Sequence, residues 1–236
     1  MLIGVSDTIL SMLIKQYQRS GSVKIVNQSV ELVDCMGSDL SIVNAARVSF
    51  NKVVTEMEDK DGRLLKYLAD HNHWSPFSHV FLSFRIKAPI FVARQLVKHQ
   101  VGLSWNEVSR RYVDSDPEFF MPLYWRKKAD NVKQGSSDEP IYCSEEWHDA
   151  ATYHTKQLFF MYKNMIDSGI CAEQARMILP QNMMTEWIWS GSLYAFARVC
   201  NLRLDSHTQR ETQEVAKMIS DIVAEKFPQS WKVLVK

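Results

Sequence analysis

The sequence predicts a single α+β domain, with strands mostly in the N-terminal part and helices mostly in the C-terminal half. Three observations point there. Val80, Leu82, Phe84 and Ile86 alternate with Phe81, Ser83, Arg85 and Lys87, the period of a strand buried on at least one face. From Ser144 onward the pattern is helical, punctuated at Gly169, Pro180 and Pro228. The chain has 236 residues, 46% hydrophobic and 23% charged, so it can bury a sizeable core and is not a disordered or collagen-like sequence.

Taken in order, residues 1–22 read as a short amphipathic extension, and 23–236 as one domain. Met1 to Leu13 is moderately apolar, but Asp7 and Thr8 interrupt it and no basic residue precedes it, so it is a poor secretory signal. Lys24 to Val33 carries β-branched residues in partial alternation and predicts a strand or hairpin. Gly37-Ser38-Asp39 stops it and offers caps for a helix through about Ser49. A short helix is expected over Gly62 to His71. After the strand at 80–87, Pro89 suits the first turn of a helix over Ile90 to His99. Residues 114–142, with Pro117, Pro122, Gly135 and Pro140, read as a long irregular excursion. Helices are then expected at about 144–168, 172–179, 183–200 and 206–226.

Composition excludes some functions. With 28 basic and 27 acidic side chains the chain is no polyanion-coating protein. It has no run of about 18 apolar residues, so no membrane span is expected. Cys35, Cys143, Cys171 and Cys200 are widely spread without a CxxC pair, which favours free thiols in a reducing, cytoplasmic setting over disulfides or zinc. His71-x-His73 lacks a second cluster at ligand spacing, so no metal is expected. Trp187 and Trp189 read as core residues.

The local charge is less even. Residues 85–113 hold Arg85, Lys87, Arg94, Lys98, Arg110 and Arg111 against the single acid Glu107. A solvated basic helix is the plain explanation. However, Gln95, His99 and Gln100 add hydrogen-bonding groups. Asn106, Glu107, Ser109, Arg111 and Tyr112 bring an amide, a carboxylate, a hydroxyl, a guanidinium and a phenol within seven residues. That set suits an anionic nucleotide, whose phosphate favours arginine and whose base favours amide-type partners. Neither GxxxxGK[ST] nor GxGxxG occurs. A nucleic-acid-binding module is the competing class; its binding would weaken steeply with salt. Arg176 before Pro180 and Arg203 in NLRLDSH have local explanations as a helix C-terminal cation and a surface cation.

Four blocks in this order resemble the flavin-dependent thymidylate synthases: ELVDCMGSDLSIVNAARVSF (31–50), HNHWSPFSHVFLSFRIKAPIFVARQLVKH (71–99), NEVSRRY (106–112) and NLRLDSHTQRE (201–211). The resemblance runs from about Lys24 to about Trp231. It implies a mixed-sheet α/β subunit in a homotetramer whose active sites draw on several subunits. It implies reductive methylation of dUMP to dTMP, with 5,10-methylenetetrahydrofolate as one-carbon donor and NADPH as reductant through bound FAD, and with no enzymic cysteine nucleophile.

By position, the resemblance gives dUMP to Gln95, Leu96, Val97, Lys98, Glu107, Val108, Ser109, Arg110, Arg111, Arg176 and Arg203. It gives FAD to Ser75, Lys98, His99, Gln100, Glu107, Ser192, Leu193, Tyr194 and Arg198. Arg203 matches the arginine that stabilises uracil ionised at N3, and His73 a histidine close to flavin and folate, so these two are the catalytic candidates. The sequence departs from the family where Lys98-His99-Gln100 replaces Arg-His-Arg, where the His99–Ser109 interval is one residue longer, and where Ser192, Tyr194 and Arg198 replace Asn, Arg and Asn. Those departures define the alternative, a divergent dUMP- and FAD-binding homologue with impaired catalysis.

Overall fold

The computed structural model describes residues 23–113, 115–130 and 136–236. The extension expected over 1–22 lies outside them.

The region expected as one strand or hairpin is two separate strands. β1 (Lys24–Ile25) pairs in parallel with β5 (Glu118–Phe119), whereas β2 (Ser29–Met36) pairs antiparallel with β3 (Phe81–Pro89). Gly37, at φ +91°, turns the chain out of β2. α1 (Asp39–Arg47) follows with a capping box between Ser38 and Ser41. α2 (Asp59–Asp70) starts three residues before its expected first residue, because Glu58 and Asp61 form a second box.

In β3 the expected alternation holds: Leu82, Phe84 and Ile86 are fully buried while Phe81 and Arg85 face outward. Pro89 closes this strand and caps α3 (Ile90–Leu96), so it does not form the helix's first turn. α3 stops at Leu96, which leaves Lys98 and His99 beyond its end. The chain turns at Gly102 and enters β4 (Leu103–Glu107), a strand the sequence reading did not include. The excursion at 114–142 contains three short strands, β5, β6 (Arg126–Lys128) and β7 (Ser136–Pro140). α4 (Ser144–Asp167) ends where Gly169 adopts φ +83°. α5 (Ala172–Ala175) continues into a 3₁₀ turn at Arg176–Ile178.

The main correction concerns residues 183–200, expected as a helix. They form β8 (Met184–Ser192) and then α6 (Leu193–Arg203). The strand signal was the alternation of Trp187, Trp189 and Gly191, all buried, with Glu186, Ile188 and Ser190 between them. α7 (Arg210–Lys226) and α8 (Pro228–Leu234) complete the fold; Pro228 opens a helix here instead of only ending one.

The principal sheet has the order β2-β3-β8-β4 and is antiparallel throughout, so among the described residues parallel pairing is confined to β1 and β5. The expected mixed sheet is thus resolved into separate parallel and antiparallel sheets, and the C-terminal half supplies a central strand. Phe84 and Trp189 pack against Phe196 of α6 at 5.0 and 5.4 Å, and Val215, Ile219 and Val223 of α7 join the same core. Asp39 accepts the backbone N–H groups of Gln229 and Ser230, both at 3.0 Å, and so ties α8 to α1. Among the described residues no helix is long and apolar enough to cross a membrane.

Candidate active site

The α3–β4 connection and the end of α6 converge on one cluster. Arg203 donates from Nε to His99 Nε2 at 2.9 Å and from Nη2 to the Gln95 carbonyl at 3.4 Å. Among the described residues its Nη1 has no hydrogen-bond partner, so one edge of the fork remains for a ligand. The bond from Nε requires His99 to accept, which a neutral imidazole can do. Burial, then the charges of Arg203 and Arg198, pull the His99 pKa from 6.5 down to about 4. Burial also lowers the Arg203 pKa, though a guanidinium stays charged at neutral pH. The Gln95 side chain donates from Nε2 to Gln209 Oε1 at 2.5 Å.

A second group lies at the N-terminus of α6. Ser192 caps this helix, its Oγ accepting from the Ala195 N–H at 3.2 Å. The Leu193 N–H bonds to the Val80 carbonyl at 3.0 Å, which fixes the helix beside the Ser75–Ser78 turn. Trp74 packs on Tyr194 with ring centroids 6.3 Å apart, bringing exposed His73 and Ser75 to the same corner. Gly102 joins the two groups: its carbonyl accepts the Ser192 N–H at 3.4 Å, and a Cβ there would lie 3.2 Å from that of Ala195. The Leu96 and Leu193 side chains are buried in the core, so only their backbones are available to a ligand.

The third group sits at the far end of β4. Glu107 accepts from Thr185 Oγ1 at 2.7 Å and from Trp105 Nε1 at 3.2 Å. Arg111 Nε donates to Ser109 Oγ at 3.2 Å, and Arg110 bonds to the Ser115 carbonyl. Val108 and Arg110 open onto a cleft of about 730 Å³. From Leu103 to Glu107 the strand covers roughly 13 Å at about 3.3 Å per residue, and among the described residues no hydrogen bond or ion pair joins this group to Arg203 and Gln95. Among the described residues, exposed Arg176 makes no side-chain hydrogen bond to either group. One chain therefore presents the nucleotide candidates as separate patches. The basic band is also interrupted, because Arg85 pairs with Glu186 at 2.8 Å and Lys87 pairs with Glu118.

His71 Nδ1–H donates to the Tyr67 carbonyl at 2.8 Å, and its ring lies 6.2 Å from that of His73. Among the described residues no three His, Cys, Asp or Glu side chains gather to hold a metal. All four cysteines are free thiols, and burial pushes the thiols of Cys35, Cys143 and Cys200 up, the opposite of an activated nucleophile.

The family model described as thymidylate synthase complementing protein matches residues 31–229. A flavin-dependent thymidylate synthase of Thermotoga neapolitana is 39% identical over 207 residues, covering 88% of this chain and 90% of that one. The chain belongs to the flavin-dependent thymidylate synthase family. The enzyme of that name from Thermus thermophilus is likewise 39% identical, over 86% of this chain and 73% of its own length. A crystal structure of the UMP/dUMP methylase PolB from Streptomyces cacaoi bound with 5-Br dUMP superposes with a TM-score of 0.79 at 28% identity, covering 89% of this chain and 96% of that one.

The departures from the family pattern can now be located. The longer His99–Ser109 interval forms the turn closed by the Leu103 N–H to the Gln100 carbonyl at 3.2 Å, with Gly102 at φ +76°. Lys98 and Gln100 are exposed beside it and leave the His99–Arg203 bond intact. Four residues of this geometry were missed in the sequence: Thr185 and Gln209, which bond Glu107 and Gln95 directly, and behind Gln209 the ion pair of Glu211 with Arg126. Gln209 and Glu211 lie within the 201–211 block, but only the tertiary fold brings them to Gln95.

Proposed function

We propose that this chain converts dUMP, 5,10-methylenetetrahydrofolate, NADPH and a proton into dTMP, tetrahydrofolate and NADP⁺, using FAD. The Arg203–His99–Gln95 cluster carries this reading most directly. His99, kept neutral, accepts from Arg203 Nε, and the Gln95 carbonyl holds Nη2, so the guanidinium is fixed with one edge exposed. A cation held against the pyrimidine ring stabilises the negative charge that makes C5 nucleophilic, and it needs no rearrangement as the charge develops. Ser109, Arg111 and Arg176 supply a hydroxyl and two guanidinium groups for the phosphate. Burial pushes the thiols of Cys35, Cys143 and Cys200 up, which supports activation of C5 by electrostatics over covalent attack by any of these three.

The second group suits FAD. Lys98 and Arg198 are exposed cations for a pyrophosphate, the α6 N-terminus is capped nearby, and Trp74 with Tyr194 offers aromatic surface to a flavin ring. When bound there, the flavin supplies the redox chemistry that links nicotinamide oxidation to reduction of the transferred carbon. His73, beside this corner, stands where flavin and folate would meet. The separation of the patches within one chain supports a site completed by neighbouring subunits of a tetramer.

Arg203→Ala tests the central role. Turnover is expected to fall about 10²–10³-fold, the usual cost of one preorganised charge-stabilising donor. dUMP affinity should fall much less. A variant with unchanged turnover and weakened dUMP binding would remove Arg203 from catalysis.

A further inference from the structure

The Gln95 amide has a direction imposed from well outside the cluster. Glu211 is only 6% exposed, and its carboxylate is gripped by Arg126 Nη2 at 2.9 Å to Oε1 and 3.1 Å to Oε2. Its backbone carbonyl also accepts from Gln28 Nε2 at 3.0 Å. An ion-paired carboxylate can only accept hydrogen bonds. Gln209 must therefore turn its NH₂ to Glu211, and it does, with Nε2 3.0 Å from Oε2. That places the Gln209 carbonyl oxygen toward Gln95, and it accepts from Gln95 Nε2 at 2.5 Å. The polarity passes along the chain, so the Gln95 carbonyl oxygen becomes the end of the amide left for a ligand. Among the described residues this Oε1 has no partner.

We propose that Gln209 and Glu211 are positioning residues that lock the Gln95 amide. The nucleotide site then meets a hydrogen-bond acceptor at this point, and takes a pyrimidine nucleotide that offers an N–H or O–H there. An isolated glutamine could present either end of its amide, at little cost. Locked, it penalises a ligand whose facing group is itself an acceptor, because a desolvated acceptor pair leaves both groups unsatisfied. The same segment also holds Arg203 through the Gln95 backbone carbonyl, so the relay steadies both contacts. This inference rests on the proposed use of dUMP.

The test compares variants at Gln209, which is exposed. Gln209→Lys presents only donors to Gln95 and should force its amide to reverse. Gln209→Glu presents only oxygens and should keep it as it is. The dissociation constant of dUMP, measured by calorimetry on the FAD-loaded protein, should rise about 5- to 100-fold in Gln209→Lys and clearly less in Gln209→Glu. Simple attraction of the anionic nucleotide to added charge gives the opposite order. In a Gln95→Ala background, Gln209→Lys should cost little more, since the residue it acts through is gone. Lysine binding dUMP as tightly as glutamate, or the full loss persisting without the Gln95 side chain, would overturn the relay while leaving the proposed function standing. A wild-type protein that binds no dUMP would overturn both.

Discussion

Arg203 and His99 show how two ordinary side chains define each other's chemistry. Burial and the guanidinium charge keep the imidazole neutral, and the neutral imidazole in turn accepts the guanidinium's N–H. A pH signature follows. The unfolded chain takes up a proton at His99 near pH 6.5, whereas the folded one resists until about pH 4. The folded state therefore binds fewer protons between these values, and stability falls as pH drops from about 6.5 toward 4. Thermal midpoints of the wild type and His99→Gln, followed over that range, should show the wild type losing ground; parallel curves would mean that His99 titrates normally. Arg203→Lys keeps a charge but loses the planar fork that bonds His99 and Gln95 through Nε and Nη2 while Nη1 stays open, so its turnover is expected to fall nearly as far as that of Arg203→Ala. The sequence reading named both residues through the family blocks, but their contact spans positions 99 and 203 and has no local sequence signal.

At the scale of elements, β8 supports the whole site. It separates β3 from β4, ends at the Ser192 cap of α6, and carries Thr185 to Glu107. Its weakest tolerance is at Gly191, where a Cβ would lie 2.5 Å from the Gly102 carbonyl oxygen and 2.5 Å from Leu103 Cδ2. Gly191→Ala should force β4 away from β8, at a cost of about 1–3 kcal/mol. For a chain of this length that lowers the melting temperature by about 2–4 °C per kcal/mol, and the turn holding His99 should loosen with it. An unchanged melting temperature and unchanged FAD retention would show that the two strands can part freely. β8 is also where the sequence reading failed. Its Trp, Ile and Thr content and its alternation favour a strand, but the apolar pattern resumes in α6 directly after Gly191-Ser192, a single glycine is no certain break, and the combined stretch read as one helix. β3 was legible because apolar and polar residues alternate cleanly from Leu82 to Lys87. β4 was not, because a five-residue edge strand gets its identity from its neighbour.

Across the whole molecule, the balance of 28 basic and 27 acidic side chains conceals candidate site residues that lie in separate patches. If subunits complete one another's sites, two inactive variants with lesions in different patches should rescue each other. Mixing Arg203→Ala with Arg111→Ala and allowing subunits to exchange should restore part of the activity that each has lost, and sedimentation should show a tetramer. No recovery in a demonstrably mixed oligomer would mean that both patches serve the same subunit. Family membership, with its four ordered blocks, was readable before any coordinates; the split into patches was not, since spacing along a chain does not reveal which end of β4 a residue occupies. The most direct measurement is the visible absorption spectrum of the purified FAD-loaded protein during anaerobic addition of NADPH, followed by dUMP and methylenetetrahydrofolate with product analysis. Oxidised-flavin bands that bleach with NADPH and return as dTMP forms are expected; a protein that takes up no FAD and forms no dTMP would contradict the proposed function.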